Sequence, residues 1–420
     1  MATDVAPPSK TAGTAGTAGA AGTASTAGTD PAPAARPVGF ARLPSLTGLR
    51  FIAAVMVFLF HASLTTEPPL NPFSGDVSDF FHAAASKTGW MGVTFFFLLS
   101  GFILTYSARP NDTPRSFWRR RLVKLYPSHV VGWIGAMVLF AAATATWQQW
   151  LPNLLLLQTW IPDYHTYLSI NPPSWSLSCE VFFYLCFPLL HRWISAIRPE
   201  RLWAWAGGLV AAITAIPALG YLLLPDGTMS NGFPVSEIQY WAVYMLPPVR
   251  TLDFVLGIVM ARILMTGRWI NLGMLPACGL VVVGYAIANA TPWLFGLNAA
   301  ALIPFALLIP AVAANDLRGD RSPFRGRVMV WLGEVSFAFY IVHNVLLVHV
   351  RSLIGETRQF GFVGGMGVMA LYFVVCMAFA WLLHKGVEMP MMRRFAKPRS
   401  KPRSEARSEP RAEPRAELRP

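Results

Sequence analysis

Apolar residues in this chain come in long, nearly unbroken runs, and polar residues are largely confined to the short stretches between them. A run of about 20 residues is what an α-helix needs to cross the hydrocarbon core of a bilayer. Such runs fall near residues 45–65, 89–107, 128–147, 175–197, 202–224, 241–265, 269–289, 293–314, 328–350 and 362–386. The pattern predicts an all-α, polytopic membrane helix bundle of about ten transmembrane helices. An eleventh apolar piece, Trp150 to Ile161, is too short to cross and is expected as a re-entrant or interfacial segment.

Outside the runs lie two tails. Residues 1–42 are rich in Thr, Ala and Gly, then Pro and Ala, and lack the apolar content that offsets the entropy of ordering a chain. Residues 393–420 repeat Pro-Arg-Ser-Glu and Pro-Arg-Ala-Glu; from Lys397 onward they hold eight basic and four acidic residues. Both tails are expected to be disordered, leaving a membrane domain over 43–392. The first spanning helix is expected to serve as its own insertion signal, since no continuous apolar core follows the early lysine.

Composition agrees: 54% of the 420 residues are hydrophobic and only 13% charged, which no ordinary soluble domain of this length shows. The net charge of +13 fits topology better than nucleic acid, because the basic residues cluster in segments between runs and in the C-terminal tail. Ten crossings with both termini cytoplasmic put Arg109 to Lys124, Arg192 to Arg201, Arg262 and Arg268, and Arg318 to Arg327 on the inner side of a cell membrane. Arg351 and Arg358 are the exceptions. The four cysteines lie within apolar runs with no Cys-x-x-Cys spacing, so neither a disulfide framework nor a metal site is expected.

Ionisable residues inside the runs are costly and mark function. Arg50 and His61 are eleven residues apart, three helical turns, and share one helix face about 16 Å apart. Snorkelling for Arg50 and a satisfied interfacial role for His61 are the structural alternative. Glu180 lies about 8 Å below the outer boundary and His61 about 6 Å below it, so the two are expected to meet, a carboxylate orienting an imidazole base. Arg119, Arg120, Arg121 and Lys124 form a cationic cluster, suited either to phosphate binding or to anchoring the topology. Arg250 and Asp253, three apart, suit a neutral pair holding helices together. Tyr340, His343 and Asn344, with Trp175 and Ser178, are candidates to line a cavity near His61. No phosphate-binding glycine motif accompanies them.

Taken in order, these segments resemble the type-3 membrane acyltransferase family over Leu43 to Pro390. The carriers are Arg50 with His61 after ten intervening residues, Gly92-Val93-Thr94-Phe95-Phe96-Phe97-Leu98-Leu99-Ser100-Gly101-Phe102, the Arg-rich segment with Tyr126-Pro127, Ser174-Trp175-Ser176-Leu177-Ser178-Cys179-Glu180, and Tyr340 to His343. Lys124 stands where the family commonly has arginine, keeping the charge but losing the bidentate fork. The opening Leu43 to Phe51 is most similar to bacterial macrolide O-acyltransferases; surface-polysaccharide O-acetyltransferases share the same membrane core.

The resemblance implies an enzyme that moves an acetyl or short acyl group from acyl-CoA, a cosubstrate rather than a bound cofactor, to a hydroxyl of a macrolide or glycan. His61, Glu180 and Arg50 would be catalytic, and Arg119, Arg120, Arg121 and Lys124 would bind acyl-CoA. A histidine-bound acyl intermediate is the alternative chemistry. A secondary transporter is the rival class, but it commonly shows internal repeats and paired broken helices, and no convincing repeat is present here.

Overall fold

A computed structural model describes residues 42–395 apart from 67, 110, 111, 230 and 231. The expected disordered tails lie outside the described residues, except that helix continues to Phe395, past the boundary read at 393. The helices in chain order are α1 (Pro44–Ala62), α2 (Gly75–Ala85), α3 (Thr88–Tyr106), α4 (Pro114–Leu139), α5 (Trp147–Leu154), α6 (Tyr164–Tyr167), α7 (Trp175–Ser195), α8 (Leu202–Leu223), α9 (Glu237–Tyr240), α10 (Pro247–Met265), α11 (Met274–Ala290), α12 (Trp293–Leu297), α13 (Ala299–Arg318), α14 (Arg327–Ile354), α15 (Phe362–Leu383) and α16 (Met389–Phe395).

Each of the ten apolar runs contains helix, and seven helices among the described residues are long and apolar enough to cross a membrane. The other three runs fall short for identifiable reasons. Helix α7 carries Glu180, His191 and Arg192, α10 carries Arg250, Asp253 and Arg262, and α11 has only 17 residues. The run at 293–314 breaks at Asn298 into α12 and α13. The Arg-rich segment, which lies between two apolar runs in the sequence, is the first part of α4: Thr113 caps it by accepting from the Ser116 amide, Pro114 opens it, and Pro127 sits inside it. The short piece near 150–161 forms α5 and a single tight turn rather than a crossing. Helix α2 was not apparent in the run pattern because its eleven residues mix Asp, His and Phe.

The frame is α1 packed on α14 and α3, with α3 packed on α10. At the α3–α10 crossing Gly101 faces the Phe254 carbonyl and Gly257 faces the Leu98 carbonyl, so a Cβ at either position would strike backbone. Small residues at such crossings let helices approach closely in a membrane. The same interface buries a polar ring. Arg250 pairs with Asp253 at 2.8 Å and donates to Thr94 Oγ1 at 3.3 Å. Thr94 donates to Asn298 Oδ1 at 2.8 Å, and Asn298 Nδ2 donates to Asp253 at 3.0 Å. The guanidinium also stacks 4.5 Å from the Tyr244 ring centroid. The helix break at Asn298 thus has a polar partner within the protein, as irregular backbone at membrane depth requires.

Removing one charge from this ring leaves the other buried and unpaired. Arg250→Ala or Asp253→Ala is expected to cost about 3–5 kcal/mol, whereas the Arg250→Met, Asp253→Leu double variant should recover most of that. Thermal unfolding in detergent measures the difference, and equal losses for single and double variants would contradict it.

Both exceptions to the charge pattern are engaged within the protein. Arg351 is buried; its Nε donates to the Pro69 carbonyl at 2.9 Å and its Nη2 to the Glu356 carbonyl at 2.8 Å. Arg358 lies 5.1 Å over the Phe360 ring. The loop after α1 is also held where Tyr372 donates to Leu70, Asn71 Nδ2 donates to Ser78, and Phe73 bridges to Phe360.

Candidate active site

Two cavities adjoin inside the bundle. The larger, about 600 Å³, lies at the end where α1 finishes and is lined by His61, Phe60, Trp90, Trp175, Tyr240, Tyr244, Tyr340, Asn344 and residues of the flanking loops. The smaller, about 70 Å³, is lined by Arg50, Phe96, Arg121, Lys124, Ser176, Glu180, Tyr184, Ser336 and Tyr340. Arg50 and His61, on one face of α1, therefore open into different chambers.

The hydrogen bonds around His61 determine what its ring can do. Its Nδ1 is 2.9 Å from the Val57 carbonyl, one turn back, and 3.2 Å from His343 Nε2. His343 Nδ1 is in turn 2.7 Å from the Tyr340 carbonyl. A carbonyl only accepts, so each Nδ1 carries the hydrogen, and His343 Nε2 is left as a lone pair facing the His61 N–H. That assignment leaves His61 Nε2 as the basic nitrogen of a ring on the cavity wall. His343 is completely buried behind it, supporting the base rather than lining the chamber as expected.

Glu180 does not take the place expected for it. Instead of meeting His61 it accepts from the Tyr184 hydroxyl at 3.1 Å and lies in the smaller chamber with Arg50, Arg121 and Lys124. Ser176, Glu180 and Tyr184, each four residues apart, form the α7 face turned to that chamber. Depth along a helix was countable from sequence; the face was not.

The cationic cluster also divides. Arg121 and Lys124, three apart on α4, face the smaller chamber. Arg120 instead pairs with Asp112 and donates to Ser116 at 2.7 Å, fastening the turn between α3 and α4, and Arg119 is exposed. Four cations adjacent in sequence point in several directions once the segment is helical.

The segment between α4 and α7 forms part of the larger chamber's wall. Asn153 donates to the Ser169 carbonyl at 2.7 Å and to Ser174 at 3.1 Å. Tyr126 donates to the Leu154 carbonyl at 3.0 Å. Ser178, expected at the cavity, instead shares a 2.6 Å bond with Thr159 and ties this segment to α7. Ile170, on the cavity wall, has φ +58°, a left-handed conformation that a β-branched residue adopts only under constraint. Next to it Asn171 donates to the Ile341 carbonyl at 3.0 Å.

Trp175, Tyr340 and Asn344 do line the larger chamber. Sequence reasoning missed His82 and His165 on the same wall, and Tyr184 in the smaller chamber. The four-residue spacing to Glu180 was the available signal for Tyr184. Among the described residues, no group of three or more His, Cys, Asp or Glu side chains is arranged to hold a metal ion.

Comparison with known proteins agrees with this architecture. A family model described as an acyltransferase domain matches residues 43–385. The chain is 38% identical to acyltransferase MdmB of Streptomyces mycarofaciens over 86% of this chain and 95% of that protein. It is 22% identical to a candidate O-acetyltransferase of Staphylococcus aureus (strain COL), over 84% of this chain but only 58% of that protein's length. A candidate acetyltransferase of Acidianus two-tailed virus is 23% identical over 74% of this chain and 85% of its own. No solved structure matches. With a family match across nearly the whole membrane domain and a relative alignable from end to end, the chain belongs to the type-3 membrane acyltransferase family.

Proposed function

We propose that this protein transfers a short acyl group from acyl-CoA to a hydroxyl of a macrolide, with the donor's phosphates held by the cations of the smaller chamber and the acceptor in the larger. The observation that carries the reading is His61: its Nδ1 is occupied by Val57 and His343, its Nε2 is the remaining base, and a cation-lined chamber adjoins it. Arg121 and Lys124 suit the donor's phosphates as charge-assisted partners, and Arg50 suits the path towards the thioester. A cytoplasmic position for that end, in the cell membrane, follows from the excess of Lys and Arg there.

In the proposed reaction His61 Nε2 takes the acceptor's hydroxyl proton as the oxygen attacks the thioester carbonyl. The O–C bond forms, the C–S bond breaks, and the departing CoA thiolate takes that proton back from His61. The growing positive charge on the imidazole is relieved through Nδ1–H to Val57 and His343. Glu180 acts away from the base, balancing Arg50, Arg121 and Lys124. The larger chamber supports an acceptor of macrolide kind. It is roomy, nine of its described lining residues carry Phe, Tyr or Trp rings, and among the described lining residues there is no carboxylate, lysine or arginine, which favours a neutral, mainly apolar ligand.

The test is mass spectrometry of a macrolide incubated with acetyl-CoA or propionyl-CoA and the purified protein in detergent, where a transporter has no gradient to use. An acyl mass gain on the macrolide supports the reading. Thioester turnover with no macrolide product redirects the acceptor to a glycan, and no turnover overturns the enzyme assignment.

His343 provides a finer test, because it acts through His61. His343→Ala is expected to lower kcat on the order of 10²-fold, less than the 10⁴-fold seen when an ionised orienting group is lost. KM for either substrate should hold. His343→Gln, which can again accept at that distance, should recover part of the rate; equal loss in both variants would reduce His343 to packing.

A further inference from the structure

Val93 of α3 and Tyr340 of α14 each line both chambers, so their side chains stand at the boundary between the two. The Tyr340 ring is held on three sides. Its hydroxyl shares a 2.8 Å bond with Ser176 and donates to the Pro173 carbonyl at 3.1 Å. Its ring packs edge-on to Phe96, with centroids 5.8 Å apart. Across the gap α3 has no room to retreat, because a Cβ on neighbouring Gly92 would sit 2.8 Å from both the Ala53 carbonyl and a Val57 methyl of α1. A passage across this boundary would therefore have a fixed backbone on one side and a fastened ring on the other, with the Val93 side chain setting its bore.

We propose that Val93 and Tyr340 form a gauge that selects donors by the bulk of the acyl group, a specificity filter distinct from the acceptor's chamber. The inference rests on the acyl-CoA reading above. In that donor the phosphates and the acyl group are at opposite ends. With the phosphates at Arg121 and Lys124, the acyl group leads and must cross this boundary for its thioester carbon to reach His61. The smaller chamber, about 70 Å³, leaves little room for the acyl group to remain behind. Straight, small groups pass; branched ones meet the Val93 methyls.

Val93 is the cleaner position to vary, since the Tyr340 side chain is also bonded to Ser176 and Pro173 and its ring packs 5.7 Å from that of His343. The experiment supplies equal acetyl-CoA and isovaleryl-CoA in competition to the full-length protein in detergent with a macrolide, and reads the ratio of the two products by mass spectrometry. Val93→Ala is expected to raise the isovaleryl to acetyl ratio about tenfold and Val93→Leu to lower it by a similar factor, the usual discrimination from one or two buried methyl groups. Because the readout is a ratio, partial loss of folded protein in one variant does not move it. A ratio unchanged in both variants, with acetyl product still formed, overturns the gauge and leaves the acyltransferase reading standing. Absence of product from every donor with the unaltered protein overturns that reading, and the gauge with it.

Discussion

His61→Ala is expected to reduce acyl transfer by about 10²- to 10⁴-fold, the range contributed by a positioned general base, without loss of folded protein. The two halves of this expectation have separate physical grounds. The catalytic half follows from Nε2 being the basic nitrogen of a ring on the cavity wall. The structural half follows from what the side chain holds: one bond to its own helix at Val57 and one contact with His343. His343 keeps its own partner at Tyr340 when His61 is gone. Transfer measured with saturating donor and acceptor, alongside elution of the variant as a single species, checks both. Activity within tenfold of the parent would remove His61 from the mechanism. A covalent acyl mass on the parent protein, absent from the variant, would instead favour the acyl-histidine route.

The second large effect concerns the donor. Arg121→Ala and Lys124→Ala are each expected to weaken acyl-CoA binding by about 10- to 100-fold, from loss of a charge-assisted hydrogen bond of about 1.5–3 kcal/mol. The defect should appear in KM for the donor and fade when acyl-pantetheine, which lacks the phosphates, replaces acyl-CoA. Arg120→Ala should behave differently, because its guanidinium is already committed to Asp112 and Ser116. Its effect is expected in stability rather than donor affinity. If all three variants raise KM alike, the cations act as one diffuse field and the division of the cluster carries no functional weight.

Fold class was legible because one physical rule, the length of apolar chain needed to cross a bilayer, leaves a mark on every helix. Within the site, legibility followed the number of constraints. Arg50 and His61 lie on the same helix, so their separation and shared face are both consequences of helical geometry. Glu180 needed the rotation of α7 about its axis, which depends on packing by α10 and α3 and is not written in local spacing. The same limit explains Arg119 to Lys124, a single patch in the sequence and a divided one on a helix. Ser178 pointed to Thr159 because the short segment before α7 folds back against it. Arg351 contradicted charge counting for another reason: its charge is satisfied by carbonyl groups rather than by water or headgroups.

The pinned loop beyond α1 has a practical meaning for traffic into the larger chamber. Its wall includes Leu64, Thr65, Thr66 and Pro68, and immediately beyond them the chain is tied down through Pro69, Leu70, Asn71 and Phe73. On that side the chamber has a fixed wall and not a lid. Guests are admitted by girth, and a ligand series grown in that direction should show an abrupt size cut-off where a hinged lid would yield gradually.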